Sequence, residues 1–175
     1  LAMNITGLLV SAWAIARIGQ RRTFFIVLTV FASAGVVCFI APTLEAMILG
    51  RVLQGLAGGL LQPLVMMVLF QVFPPEKRGL AMGMFSMGVV IALGMGPSIG
   101  GISIDEYGWR SIFIIPLPAC ALAIILGLLF LPDESQRAEP EPFDFMGFVL
   151  ANGFVFGWFT LLGNGPRWGW GSNDV

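Results

Sequence analysis

The sequence predicts an all-α, polytopic membrane protein, and three observations lead there. Of 175 residues, 57% are hydrophobic and only 11% charged, with a mean hydropathy of +0.90. A soluble domain carries about twice that charged fraction. The apolar residues fall into runs of the roughly 17–25 residues that a spanning helix needs. The basic residues gather in alternate loops, as the cytoplasmic loops of membrane proteins do.

Five complete spans and one truncated span follow along the chain. The truncated one runs from Leu1 to about Ala16. The complete ones are Thr23–Ile40, Ala46–Phe70, Leu80–Ile104, Ile112–Leu131 and Phe145–Leu162. Helix stop signals close them, among them Pro42, Pro74-Pro75, Tyr107-Gly108 and Pro132. Leu1 is preceded by no initiator Met and no basic n-region, so no signal peptide is read here. The chain is expected to be a piece of a longer protein. Its expected organisation is residues 1–131 in one helical bundle, 132–144 as a linker, and 145–175 as a further helix with its outer loop. The linker, PDESQRAEPEPFD, is acidic and proline-rich and reads as a solvated connector.

Arg17, Arg21, Arg22, Lys77, Arg78 and Arg137 lie in the first, third and fifth loops. Only Arg110 and Arg167 lie on the other side. Six against two places the odd loops in the cytoplasm. The nine basic residues nearly cancel the ten acidic ones, so no nucleic-acid partner is suggested. Histidine is absent, which removes the commonest general base and metal ligand. No enzyme chemistry and no metal site are expected. Cys38 and Cys120 sit in apolar runs and read as small buried hydrophobes.

One charge lies within a span. Arg51 is about six residues, or ~9 Å, into its helix. A charge at the bilayer centre costs roughly 2.5–3.5 kcal/mol on insertion scales. Arg51 is placed either to snorkel to the outer interface or to face a polar space. Gln54, Gly55, Gly58 and Gln62 recur from it at helical spacing. Such a stripe avoids lipid and points to a water-filled cavity or a partner helix.

A second stripe is built of small residues. Gly88, Ala92, Gly96 and Gly100 recur every fourth residue, with Pro97 and Gly101 among them. Small-xxx-small spacing lets two helix backbones approach closely. Pro97 removes the hydrogen bond to the Leu93 carbonyl and is expected to bend the helix. Spacing alone leaves static packing and gating both open.

Four sets of residues resemble the major facilitator superfamily of secondary transporters, and in particular its fourteen-helix EmrB/QacA-type drug:proton antiporters. Ala12-Trp-Ala-Ile-Ala16-Arg17-Ile-Gly19-Gln20-Arg21 is similar to the cytoplasmic G-x-L-x-D-R-x-G-R-K signature, matching at Arg17, Gly19 and Arg21. Ala16 stands where the family has the Asp that helps lock the two halves together. Arg51, Gln54, Gly55 and Gly59 fit R-x-x-Q-G-x-x-x-G, with Pro63 following. Gly96-Pro97-Ser98-Ile99-Gly100-Gly101 resembles the antiporter motif G-P-x-x-G-G, its first small position being Ala92. Trp109-Arg110-Ser-Ile-Phe113, Phe143-Asp144-Phe-Met-Gly147 and Trp168-Gly169-Trp170-Gly171-Ser172 resemble subfamily elements. Pro116 replaces a customary Asn.

The resemblance implies a major facilitator-type helical bundle in a plasma membrane, such as a bacterial inner membrane. It implies proton-coupled export of drug-like small molecules, with the proton gradient as energy source and no cofactor. It implies a role for Arg51 in proton coupling, and for the kinked glycine-rich helix in restricting leak between the two six-helix halves. A periplasmic adaptor and outer-membrane channel are conceivable partners beyond the lipid bilayer, the substrate and protons. Two alternatives stand beside this: a facilitator of a metabolite, sugar or siderophore, and a channel or non-transporting receptor. None of the ten acids is placed deep in a span, so the titrating acid is expected outside this chain, on a first helix facing Arg51.

The charge asymmetry makes a topological prediction. A Cys at Glu106 should react with an impermeant thiol reagent in intact cells, whereas one at Glu76 should not. The opposite labelling would reverse the orientation.

Overall fold

The computed structural model describes residues 2–131 and 142–168. Helices make up the architecture: α1 (Ala2–Ile18), α2 (Gln20–Ile40), α3 (Leu44–Val72), α4 (Arg78–Tyr107), α5 (Pro116–Phe130) and α6 (Phe145–Trp168). Short 3₁₀ segments at Pro75–Lys77 and Trp109–Phe113 precede α4 and α5. Five segments among the described residues are long and apolar enough to cross a membrane, and α1 is a shorter apolar helix.

Local chemistry sets the boundaries. The α1–α2 turn has a single residue between the helices, Gly19, at φ 96°. That left-handed conformation is open to glycine and costly for a side chain. Thr43 caps α3, its hydroxyl accepting from the Ala46 N–H at 3.3 Å. Phe73 is extended ahead of Pro74, as residues before proline tend to be, and α3 stops there. Gly108, at φ 80°, closes α4. Asp144 caps α6, its Oδ1 accepting from the Gly147 N–H at 2.8 Å.

One span departs from its expected form. Ile112–Leu131 is not a helix throughout, because α5 begins only at Pro116. Pro116 sits at the start of the helix, where a missing N–H costs nothing. The preceding Trp109–Phe113 winds as a 3₁₀ segment, with Ser111 N–H donating to Gly108 O and Ile114 N–H to Ser111 O, each at 3.0 Å. Pro63 and Pro97, by contrast, lie inside continuous helices α3 and α4.

The centre of the packing is α3, flanked by α1 and α2. Ile15, Val27, Ala57 and Leu64 form the buried cluster, with Val30, Phe31, Leu60 and Leu61 against it. The two crossings rest on glycines. A Cβ on Gly7 of α1 would strike the Leu56 carbonyl and approach the Gly59 Cα at 3.2 Å. A Cβ on Gly59 would strike the Asn4 carbonyl and come within 2.8 Å of the Leu8 nitrogen. On the other side, Gly50 meets the Cys38 thiol and the Ala34 carbonyl of α2. Both cysteines are free and buried.

The first and third loops lie at one end of the bundle. There Gln71 Nε2 donates to Gln20 Oε1 at 2.6 Å, joining the end of α3 to the start of α2. Trp13, late in α1, packs edge-on against Phe143, just before α6, with centroids 5.3 Å apart. Midway along, the Thr6 hydroxyl donates to Asn152 Oδ1 at 2.5 Å, so α6 docks on α1. At the other end Arg110 Nη2 donates to the Ala41 carbonyl at 3.1 Å, tying the segment before α5 to the end of α2.

The α1–α3 contact is directly testable. Gly59→Val should destabilise the protein by about 1–3 kcal/mol, because the backbones must part to admit the side chain. Gly153→Ala on α6, where a Cβ meets open space, should be tolerated. Survival of folded protein after heating in detergent measures both. Equal survival of Gly59→Val and wild type would remove the contact from the account.

Candidate functional site

The first predicted stripe splits into two parts. Gly55 and Gly58 face α1: a Cβ on Gly55 would lie 2.9 Å from Met3 Cβ, and one on Gly58 would lie 3.1 Å from Asn4 Nδ2. Of the two readings left open, that half takes the partner helix. Gln62 is exposed, a little further along α3. Arg51 and Gln54 lie on the side where α2 and the Trp109–Phe113 turn approach.

There the geometry is tight. Gln54 is buried, and Phe113 is only 3% exposed. A Cβ on Gly35 of α2 would lie 3.1 Å from the Phe113 carbonyl oxygen and 3.3 Å from Gln54 Nε2. Gly35 therefore lets α2, α3 and the turn meet. Arg51 Nη1 reaches Gln54 Oε1 at 3.5 Å, the long limit of a hydrogen bond. Its guanidinium carbon lies 4.3 Å from the centre of the Phe113 ring, well inside cation–π range. The Arg51 side chain is otherwise exposed, and no ion pair of it lies among the described residues. Chemically this is a fixed positive charge about two turns into α3, open on one side to whatever anion or dipole faces it.

The acids lie elsewhere. Glu45 is in the first turn of α3, Asp105 and Glu106 are in the last turn of α4, and Glu76 is in the 3₁₀ turn before α4. Asp144 is occupied as the α6 cap. Asp133, Glu134, Glu139, Glu141 and Asp174 lie outside the described residues.

The second stripe meets no other helix among the described residues. A Cβ on Gly88, Gly94, Gly96, Gly100 or Gly101 would have no heavy atom within 4 Å. Gly88, Ala92, Gly96 and Gly100 instead form one wall of an open apolar groove of about 520 Å³. Ile112, Ile115 and Pro116 form its other wall.

The cytoplasmic-loop residues are held by local contacts. Arg17 lies over the Trp13 ring at 5.5 Å and Arg21 over Phe25 at 6.0 Å. Gly19 makes the turn, its carbonyl accepting from the Thr23 hydroxyl at 2.6 Å. Ala16, where the family signature has Asp, brings no carboxylate to this turn.

Sequence reasoning missed several partners. Gly7 and Asn4 of α1 carry no signal of their own in the sequence, although Gly55-x-x-x-Gly59 is itself a close-packing signal that calls for a partner. In the sequence Phe113 stands out only as part of a motif. Its place over Arg51 depends on the 3₁₀ turn, which the string of apolar residues there conceals.

The comparisons with known proteins agree with this architecture. The family model described as Major Facilitator Superfamily matches residues 1–171. The chain is 36% identical to the tetracenomycin C resistance and export protein of Streptomyces glaucescens, over 89% of the chain and 29% of that relative. It is 33% identical to the probable multidrug resistance protein EmrY of Escherichia coli, over 97% of the chain and 32% of the relative. It is 31% identical to the lincomycin resistance protein LmrB of Bacillus subtilis, over 98% and 35%. The chain thus spans about a third of the length of the curated relatives it matches. With a family match over nearly its whole length and resistance and export proteins among its relatives, this helical membrane chain belongs to the major facilitator superfamily of transporters and is similar to its EmrB/QacA-type members.

Proposed function

We propose that the protein containing this chain exports amphipathic, drug-like small molecules in exchange for protons. The observation that carries the reading is its likeness, across 89–98% of the chain, to relatives named for antibiotic resistance and drug export. The site supports the proton half. Arginine keeps its charge in proteins. Placed at membrane depth, it lowers the pKa of a facing carboxylate and competes with the proton for it. The described acids all sit at helix ends. In this proposal the titrating acid belongs to a part of the transporter outside this chain, facing Arg51 across the substrate path.

Transport then proceeds by alternating access around a midplane site. The proton gradient supplies the energy, and no cofactor or enzymatic step is involved. The groove of α4 receives a helix from outside this chain, and its side-chain-poor wall lets that helix close the path against leak. A bacterial inner membrane, with a periplasmic adaptor and an outer-membrane channel as further partners, fits this reading.

Two experiments on the full-length transporter test it. Arg51→Ala should abolish substrate-induced proton release from the purified protein while substrate still binds. Arg51→Lys keeps the charge without the planar fork and should recover part of the activity. Proton release by Arg51→Ala equal to wild type would sink the coupling role. Separately, Gly96→Leu should fill the α4 groove and lower drug resistance in cells at normal membrane protein levels. Full resistance with this variant would show that the groove admits no close helix contact.

A further inference from the structure

A guanidinium that acts on a distant carboxylate has to be aimed, and its aim here does not come from Gln54. That contact is at the long limit of hydrogen bonding, 3.5 Å. The other defined partner is the ring of Phe113, its centre 4.3 Å from the guanidinium carbon. The ring itself is enclosed. Phe113 is 3% exposed. Trp109 packs edge-on against it, with centroids 6.3 Å apart. The turn that carries it is anchored at two further points. Ser111 Oγ donates to the Ser103 carbonyl of α4 at 2.9 Å. Arg110 donates to the Ala41 carbonyl at the end of α2.

We infer that Phe113 is the positioning residue for Arg51: its ring face fixes the guanidinium plane and directs the N–H edge into the substrate path. The flat face of a guanidinium stacks on an aromatic ring while its donors, which lie in the plane, stay available at the edge. A hydrogen-bonding partner in the same place would use up those donors. A carboxylate would neutralise the charge that the coupling reading requires. An aromatic face does neither, since it attracts the cation through its quadrupole alone. The turn also links this aim to α4, because Ser103 and Ser111 join the two directly, with Ser103 Oγ 2.6 Å from Ser111 Oγ. This inference rests on the coupling role proposed for Arg51.

The test separates ring electrostatics from ring shape in the full-length transporter. Phe113 is replaced by its mono-, di- and trifluorinated analogues, which keep its outline while weakening the quadrupole step by step. Substrate-induced proton release should fall with each fluorine, by on the order of fivefold across the series, with substrate affinity unchanged. Phe113→Trp should retain release and Phe113→Leu should lose it. Arg51→Ala runs alongside. If Arg51→Ala uncouples but release is flat across the fluorinated series, Phe113 is a packing residue and the inference fails. If Arg51→Ala couples like wild type, the proposed function of Arg51 fails instead. Should Phe113→Leu not fold, the fluorinated series still decides, because its members differ little in size from phenylalanine.

Discussion

The bundle depends on how closely α1 can approach α3. In a bilayer, lipid tails are as apolar as leucine, so hydrophobic burial does not drive helices together. Contact has to come from dispersion between closely fitted surfaces, and dispersion falls off within an ångström of the optimum. Gly7 and Gly59 allow this by placing backbone against backbone, with the Leu56 and Asn4 carbonyls filling the space that side chains would take. Gly50 does the same between α3 and α2. Once α3 is held between its neighbours, everything that matters for the site follows from its rotation.

That rotation decides what each face of α3 meets. Gly55, Gly58 and Gly59 go to α1, Gly50 goes to α2, and Arg51 with Gln54 comes to lie where the Trp109–Phe113 turn approaches. The turn lies between Gly108 and Pro116. Gly108 closes α4 before it and Pro116 opens α5 after it, where its missing N–H costs nothing, and the residues between wind as 3₁₀. The tighter winding, pinned by Arg110 and Ser111, leaves Phe113 buried over Arg51.

Glycine therefore has two distinct uses in this chain. On α1 and α3 it is consumed in contacts that are already made. On α4 the glycines line an open groove and touch nothing within the described residues, although their spacing carries the same small-xxx-small signal. Spacing reports only that a backbone can be approached closely. Whether a neighbour has arrived depends on the rest of the fold.

By itself the sequence determined the class of the protein, the number and order of its apolar helices, and most of their ends. These follow from local quantities: run length against bilayer thickness, proline and glycine at termini, and the distribution of Arg and Lys. It also marked Arg51 as a charge out of place, because the cost of burying a charge is legible from one residue and its neighbours along the chain. Its motifs led to the transporter family. Only the tertiary structure decided that Gly55 and Gly58 belong to a helix contact rather than a cavity, that Met3 and Asn4 are their partners while Gly7 meets Gly59, that α6 docks on α1 through Thr6 and Asn152, and that Phe113 faces Arg51. Those facts depend on crossings between segments far apart in sequence. A helix with small residues on several faces does not announce which face meets which neighbour, and a 3₁₀ turn shifts the direction of every side chain in it without altering the apolar pattern.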